Sequence, residues 1–123
     1  MTQILIIEDD ADFRKMLGIM LKQDGYDVIE APNGREGLEV FKTNQVDLVI
    51  TDVFMPEKEG MQTLFELKEQ DHNVKVIAIS GGGTREKHDY LDSMKDFGAQ
   101  RVFKKPFVTK EFLAAVAELL ETE

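Results

Sequence analysis

Cysteine is absent from the 123 residues. That excludes a disulfide framework, a thiolate nucleophile and a Cys-ligated zinc. No apolar run approaches the ~20 residues that a membrane span requires. The opening residues, Met1 to Gln3 and then Ile4-Leu-Ile-Ile7, lack the basic region and long apolar stretch of a secretory signal. Basic charge is in deficit: 15 Lys and Arg stand against 24 Asp and Glu, a formal net charge of -9. Nucleic acid and anionic membrane surfaces are polyanions, so neither is an expected partner. Histidine is scarce, and His72 and His88 fall in a loop and a helix, where solvent-facing roles are expected. What remains is 42% apolar and 32% charged, the balance of an ordinary globular domain. The length suits one core, not two. No repeat, linker or low-complexity tract divides it, and a cytoplasmic protein is the expectation.

Short apolar runs alternate with stretches of helical period, five times over. The runs are Ile4–Ile7, Tyr26–Ala31, Val46–Thr51, Val74–Ile79 and Arg101–Lys104. After the first comes the stripe Phe13, Met16, Leu17, Met20 and Leu21, spaced i, i+3, i+4, i+7, i+8. Gly25 is its stop signal. Asn33 caps a second helix bearing Leu38 and Phe41, and Met61, Leu64, Phe65 and Lys68 mark a third. A fourth carries Tyr90, Leu91, Met94 and Phe97 up to Gly98. The fifth carries Phe112, Leu113, Val116, Leu119 and Leu120. The six methionines read as core. Such alternation predicts an α/β fold, a parallel sheet with helices on both faces. Runs one, three and four are nearly unbroken Ile, Leu and Val, as expected of strands covered on both sides. Run two carries Asp27 and Glu30, and run five is short and basic, so both read as edges. The flavodoxin-like order 2-1-3-4-5 with five helices follows, its crevice at the carboxyl ends of strands 1 and 3.

Chemistry-bearing residues stand where the apolar runs end. Glu8, Asp9 and Asp10 close the first. Asp10 suits an N-cap, and acids are favoured at a helix N-terminus in any case. Glu8 and Asp9, however, face Asp52 across the crevice. Two carboxylates about 4 Å apart repel by roughly 4 kcal/mol at an effective dielectric near 20. A hard divalent cation removes that cost, and Mg2+ favours carboxylates with water and phosphate oxygens. The cluster has no neighbouring His, which argues against zinc. Asp52 closes the third run; as a nucleophile its carboxylate attacks phosphorus to give an acyl phosphate, with the metal offsetting charge. Ser80 precedes Gly81-Gly82-Gly83, which leaves room for a phosphoryl oxygen beside its hydroxyl. Those glycines are too irregular for a P-loop and follow the wrong strand. Lys105, before Pro106, reaches the crevice as a point charge for phosphate, while Lys104 points the other way into solvent.

Together these residues resemble the receiver domain of two-component response regulators, the CheY-like family, across residues 1–123. The likeness rests on Ile4-Leu-Ile-Ile-Glu-Asp-Asp10, Asp52-Val-Phe-Met-Pro56 with Gly60, Ile79-Ser-Gly81 and Lys105-Pro-Phe107. It implies that Asp52 is the phosphoacceptor and that Glu8 and Asp9 are the acid pair. Asp9, Asp52 and the backbone carbonyl of Phe54 would hold Mg2+. Ser80 would be the switch hydroxyl and Lys105 the amine on the phosphoryl group. It further implies a stand-alone phosphoacceptor, not an enzyme beyond self-phosphorylation and slow autodephosphorylation. Phosphate would come from a sensor histidine kinase or a phosphotransfer protein. A downstream protein would meet the face of the fourth helix, fifth strand and fifth helix, where Arg101, Lys104 and Lys110 are basic. The state would be monomeric or a phosphorylation-dependent dimer.

One position departs from the family. Where many receivers carry an aromatic three residues before the lysine, this chain has Val102, and Phe103 faces the other side of the sheet. Phe54 and Gly82 offer nothing to orient a water, so slow loss of phosphate is expected. The rival reading is an aspartyl phosphatase of the haloacid-dehalogenase type. Such enzymes place a second acid two residues past the nucleophile, where this chain has Phe54.

Overall fold

In the computed structural model, residues 2–52, 59–80 and 98–121 are described, with backbone alone for 59–61. Five strands form one parallel sheet: β1 (Gln3–Ile7), β2 (Asp27–Ala31), β3 (Leu48–Asp52), β4 (Val76–Ser80) and β5 (Arg101–Lys104). Their order is β2-β1-β3-β4-β5, as the distribution of charge predicts. Every residue of β3 and β4 is buried, whereas β2 and β5 are largely half-buried or exposed. Four helices are described: α1 (Ala11–Gln23), α2 (Gly34–Thr43), α3 (Glu59–Gln70) and the C-terminal α4 (Thr109–Glu121). The helix expected around Tyr90 to Phe97 lies outside the described residues.

Side chains alternate across a strand, so each strand feeds two cores. Leu5, Ile7, Val49, Val76 and Ala78 pack with Leu64 and Leu67 of α3, and Leu38 and Phe41 of α2 join them. Ile4, Ile6, Leu48, Ile50, Ile77 and Ile79 face the opposite way, onto Leu17 and Leu21 of α1 and Phe112, Val116 and Leu119 of α4. Gly37 lets α2 lie close on β1: a Cβ there would come within 2.4 Å of Ile7 Cδ1. Gly25, at φ 96°, ends α1. The Gly25 N–H donates to Lys22 O at 3.0 Å and the Tyr26 N–H to Leu21 O at 3.2 Å, the paired bonds of a Schellman stop.

Two expectations need correction. Strands β3 and β4 begin two residues later than the apolar runs do and end one later, on Asp52 and Ser80. The Asp47 carboxylate accepts the Gln3 N–H at 2.8 Å, and the Gln100 side chain accepts the Val76 N–H at 2.8 Å. These side chains take up backbone N–H groups beside the run starts, which lie outside the strands. Some helix residues also face out: Met16 is 42% exposed and Phe65 is 52% exposed, while Thr63 is buried. Each outlying residue adjoins a better-placed Leu, Leu17 or Leu64, which takes the contact with the sheet.

Candidate functional site

The sheet brings the strand ends together. Glu8 follows β1 and is 1% exposed, and its N–H donates to Ala31 O at 3.1 Å. Asp9 is exposed. Asp10 turns the chain into α1, its Oδ1 accepting the N–H groups of Asp12 at 3.0 Å and Phe13 at 3.2 Å. Asp52, 5% exposed, closes β3. One carboxylate oxygen from each of Glu8, Asp9 and Asp52 lies within 4.8 Å of the others. Ser80, fully buried, closes β4 and neighbours Lys104 in register. Lys105 reaches back past β4: its Nζ is 2.9 Å from Glu8 Oε1 and 3.5 Å from Asp52 Oδ2. The Lys105 N–H donates to Ser80 O at 2.7 Å, and the Lys105-Pro106 bond is cis.

Charge in this crevice is poorly balanced. Burial pushes the Glu8 carboxyl up to about 7. The Lys105 ammonium and the Asp10 N–H oppose that rise, and the Asp52 charge adds to it. Burial alone would lower the Lys105 amine, yet the carboxylates of Glu8 and Asp52 prevail and raise it. Among the described residues, three acids face one amine, an arrangement that fits a divalent cation bound by oxygen. Glu8 already uses Oε1 on Lys105 and Oε2 on the Asp10 N–H at 3.1 Å. Asp9 is the exposed member of the cluster, while Glu8 and Asp52 are buried behind it.

The response regulator receiver domain model matches residues 4–117. The chain belongs to the response regulator receiver domain family. Sporulation initiation phosphotransferase F of Bacillus subtilis is 31% identical over 118 residues, 96% of this chain and 93% of that protein. Chemotaxis protein CheY of the same organism is 34% identical over 119 residues, 96% of this chain and 97% of CheY. A receiver domain protein from Clostridium thermocellum superposes with a TM-score of 0.89 at 29% identity, over 98% of this chain and 95% of that one. Other curated relatives are longer, and the chain spans about half their length or less. Receiver domains are signalling modules of two-component and phosphorelay systems, not enzymes of the ordinary kind. None of the described helices is long and apolar enough to cross a membrane.

Glu8, Asp9, Asp52 and Lys105 thus converge in this receiver domain, with Ser80 at the end of the adjoining strand. Phe54, Gly81, Gly82 and His88 lie outside the described residues. His72 is exposed in the turn before β4, at the opposite end of the strands. Val102 packs against the core on the α2/α3 side and Phe103 against the core on the α1/α4 side, as the alternation predicts. Two residues carry roles that sequence reasoning missed. The Arg14 guanidinium donates to Glu8 O at 2.7 Å and to Glu30 Oε1 at 3.2 Å, bracing the acid turn against the edge strand. The Phe13 ring lies under the Lys105 ammonium, 4.1 Å from Nζ to its centroid. Both follow the acid pair within one helical turn, which is the only sequence signal they gave.

Proposed function

We propose that the chain is a phosphoacceptor that takes a phosphoryl group on Asp52 from a phosphohistidine, presented by a sensor histidine kinase or a phosphotransfer protein. One observation carries this reading: the Lys105 amine, brought from beyond β5, sits 2.9 Å from Glu8 and 3.5 Å from Asp52 inside a three-carboxylate cluster. An Asp52 carboxylate oxygen attacks phosphorus. The P–N bond breaks, its electron pair stays on the imidazole, and an acyl phosphate forms. Lys105 pairs with oxygens of the arriving group as its charge develops. Ser80, at the end of the next strand, offers its hydroxyl to another of them. Asp9 and Asp52 would hold Mg2+, and the family resemblance would add the backbone carbonyl of Phe54, which lies outside the described residues. When bound, that ion supplies positive charge to the acids and the phosphoryl oxygens.

The phosphoryl group adds about -1.5 to -2 of charge and biases the protein-binding face. That face includes β5 and α4, where Lys104 and Lys110 are exposed and Arg101 pairs with Glu118. The names of the relatives, a phosphotransferase and a chemotaxis protein, support a signalling role. The test is intact mass measurement after incubation with acetyl phosphate and Mg2+. Wild type should gain one phosphate and Asp52→Asn none. An adduct in both proteins would move the acceptor elsewhere.

A further inference from the structure

Among the described residues, the Lys105 ammonium meets three groups, and two of them are acids. Its third neighbour is the face of Phe13, with Nζ 4.1 Å from the ring centroid. An aromatic face attracts a cation through its quadrupole, and it does so without taking up the N–H donors that phosphoryl oxygens need. The ring itself is held firmly. Phe13 stands in the first turn of α1, and its N–H is bonded by Asp10, the residue directly after the acid pair. Its edge meets Phe107 at 6.1 Å and 77°. Phe107 stacks on Phe112 at 4.8 Å and 26° and meets Phe103 at 5.7 Å. Phe112 is fully buried, and Phe103 also meets it edge-on at 5.4 Å. The four rings tie the start of α1 to β5 and to the start of α4.

We propose that Phe13 is a positioning residue whose ring seats the Lys105 amine over the crevice, so that the amine is in place before a phosphoryl group arrives. The proposal rests on the reading of Lys105 as the amine that meets that group. Glu8 and Asp52 attract the ammonium but do not fix its height above the sheet; the ring closes off the side toward α1. A receiver without the ring would keep the charge of Lys105 and lose its location.

The seat is read by NMR on the metal-free protein with 13C-labelled lysine, the Lys105 signal being assigned by its loss in Lys105→Arg. In wild type the ε-methylene protons should lie upfield of those of exposed lysines, displaced by the ring current. Phe13→Leu should return them to the exposed position, and Phe13→Tyr should keep the displacement. Phosphorylation by acetyl phosphate with Mg2+ should slow on the order of fivefold in Phe13→Leu and recover in Phe13→Tyr. A purely structural role would lower the thermal midpoint without this rescue. Equal lysine shifts in wild type and Phe13→Leu, or equal rates in the Leu and Tyr variants, would overturn the proposal. If no variant and not wild type gains phosphate, the reading of Asp52 fails, while the lysine shift still decides whether Phe13 seats the amine.

Discussion

At the scale of single residues, the crevice is governed by the cost of burying its acids, Glu8 and Asp52. Glu8 shows the cost most clearly. Its carboxyl is pushed up to about 7 from the ordinary 4.5, chiefly by burial. A folded pKa above the unfolded one means the folded state holds the proton more tightly. That contribution is complete below about 4.5 and is lost as pH rises through about 7. In EDTA, the thermal midpoint of wild type should therefore fall between pH 5 and pH 8, and Glu8→Gln should flatten that fall. Lys105 works against the same penalty. Removing its amine takes from the buried carboxylates of Glu8 and Asp52 the ammonium that pairs with both. The amine is 21% exposed, which moderates its worth. Lys105→Ala should cost about 1–2 kcal/mol at pH 8 by urea unfolding. It should cost less at pH 5, where Glu8 is protonated.

At the scale of elements, strands were easier to read than helix faces. A continuous run such as Ile4–Ile7 reports burial on both sides, and the charges Asp27 and Glu30 mark an edge. Those two facts separate interior strands from edges, and the flavodoxin-like order that fits them brings Glu8, Asp52, Ser80 and Lys105 to one rim of the sheet. Helices are less explicit, because neighbours such as Met16 and Leu17 point about 100° apart. Periodicity gives a stripe, but the sheet chooses its centre line. Phe65 looked like core and Thr63 did not for that reason. Phe13 reads as one member of the apolar stripe of α1, and nothing in its spacing or in that of Arg14 points to the crevice. Their work at the crevice depends on approach in space, which no spacing encodes. Caps, by contrast, are local. Asp10 accepts two N–H groups at the start of α1, so Asp10→Ala should destabilise by about 1 kcal/mol in chemical denaturation. Gly37→Ala sets two effects against each other. Alanine gains about 1 kcal/mol in helix propensity, but its Cβ would sit 2.4 Å from Cδ1 and 2.6 Å from Cγ1 of Ile7. Ile7 is fully buried, and overpacking a filled core costs about 1–3 kcal/mol. Net destabilisation is expected, and a more stable variant would show that α2 can lift off β1.

At the scale of the whole molecule, the net charge of -9 and the acid cluster ask different things of salt. Screening of the overall charge depends on ionic strength and is met by any electrolyte. The proposed site at Glu8, Asp9 and Asp52 calls instead for a divalent ion, which would stabilise by mass action. A hundredfold excess over the dissociation constant adds about 2.7 kcal/mol to the folded state. Mg2+ should therefore raise the unfolding free energy above NaCl of matched ionic strength, and Asp9→Asn should remove most of that excess. Proton and metal also compete, because a cation gains most from neighbours that are ionised. Glu8 carries its proton below about 7, which leaves the cluster less negative. The Mg2+ increment should thus be larger at pH 8 than at pH 6. In Glu8→Gln the two increments should be nearly equal, since the residue that changes charge over that interval is gone. Equal increments in wild type would mean that the cation does not sense Glu8, and would place it on the exposed side of Asp9.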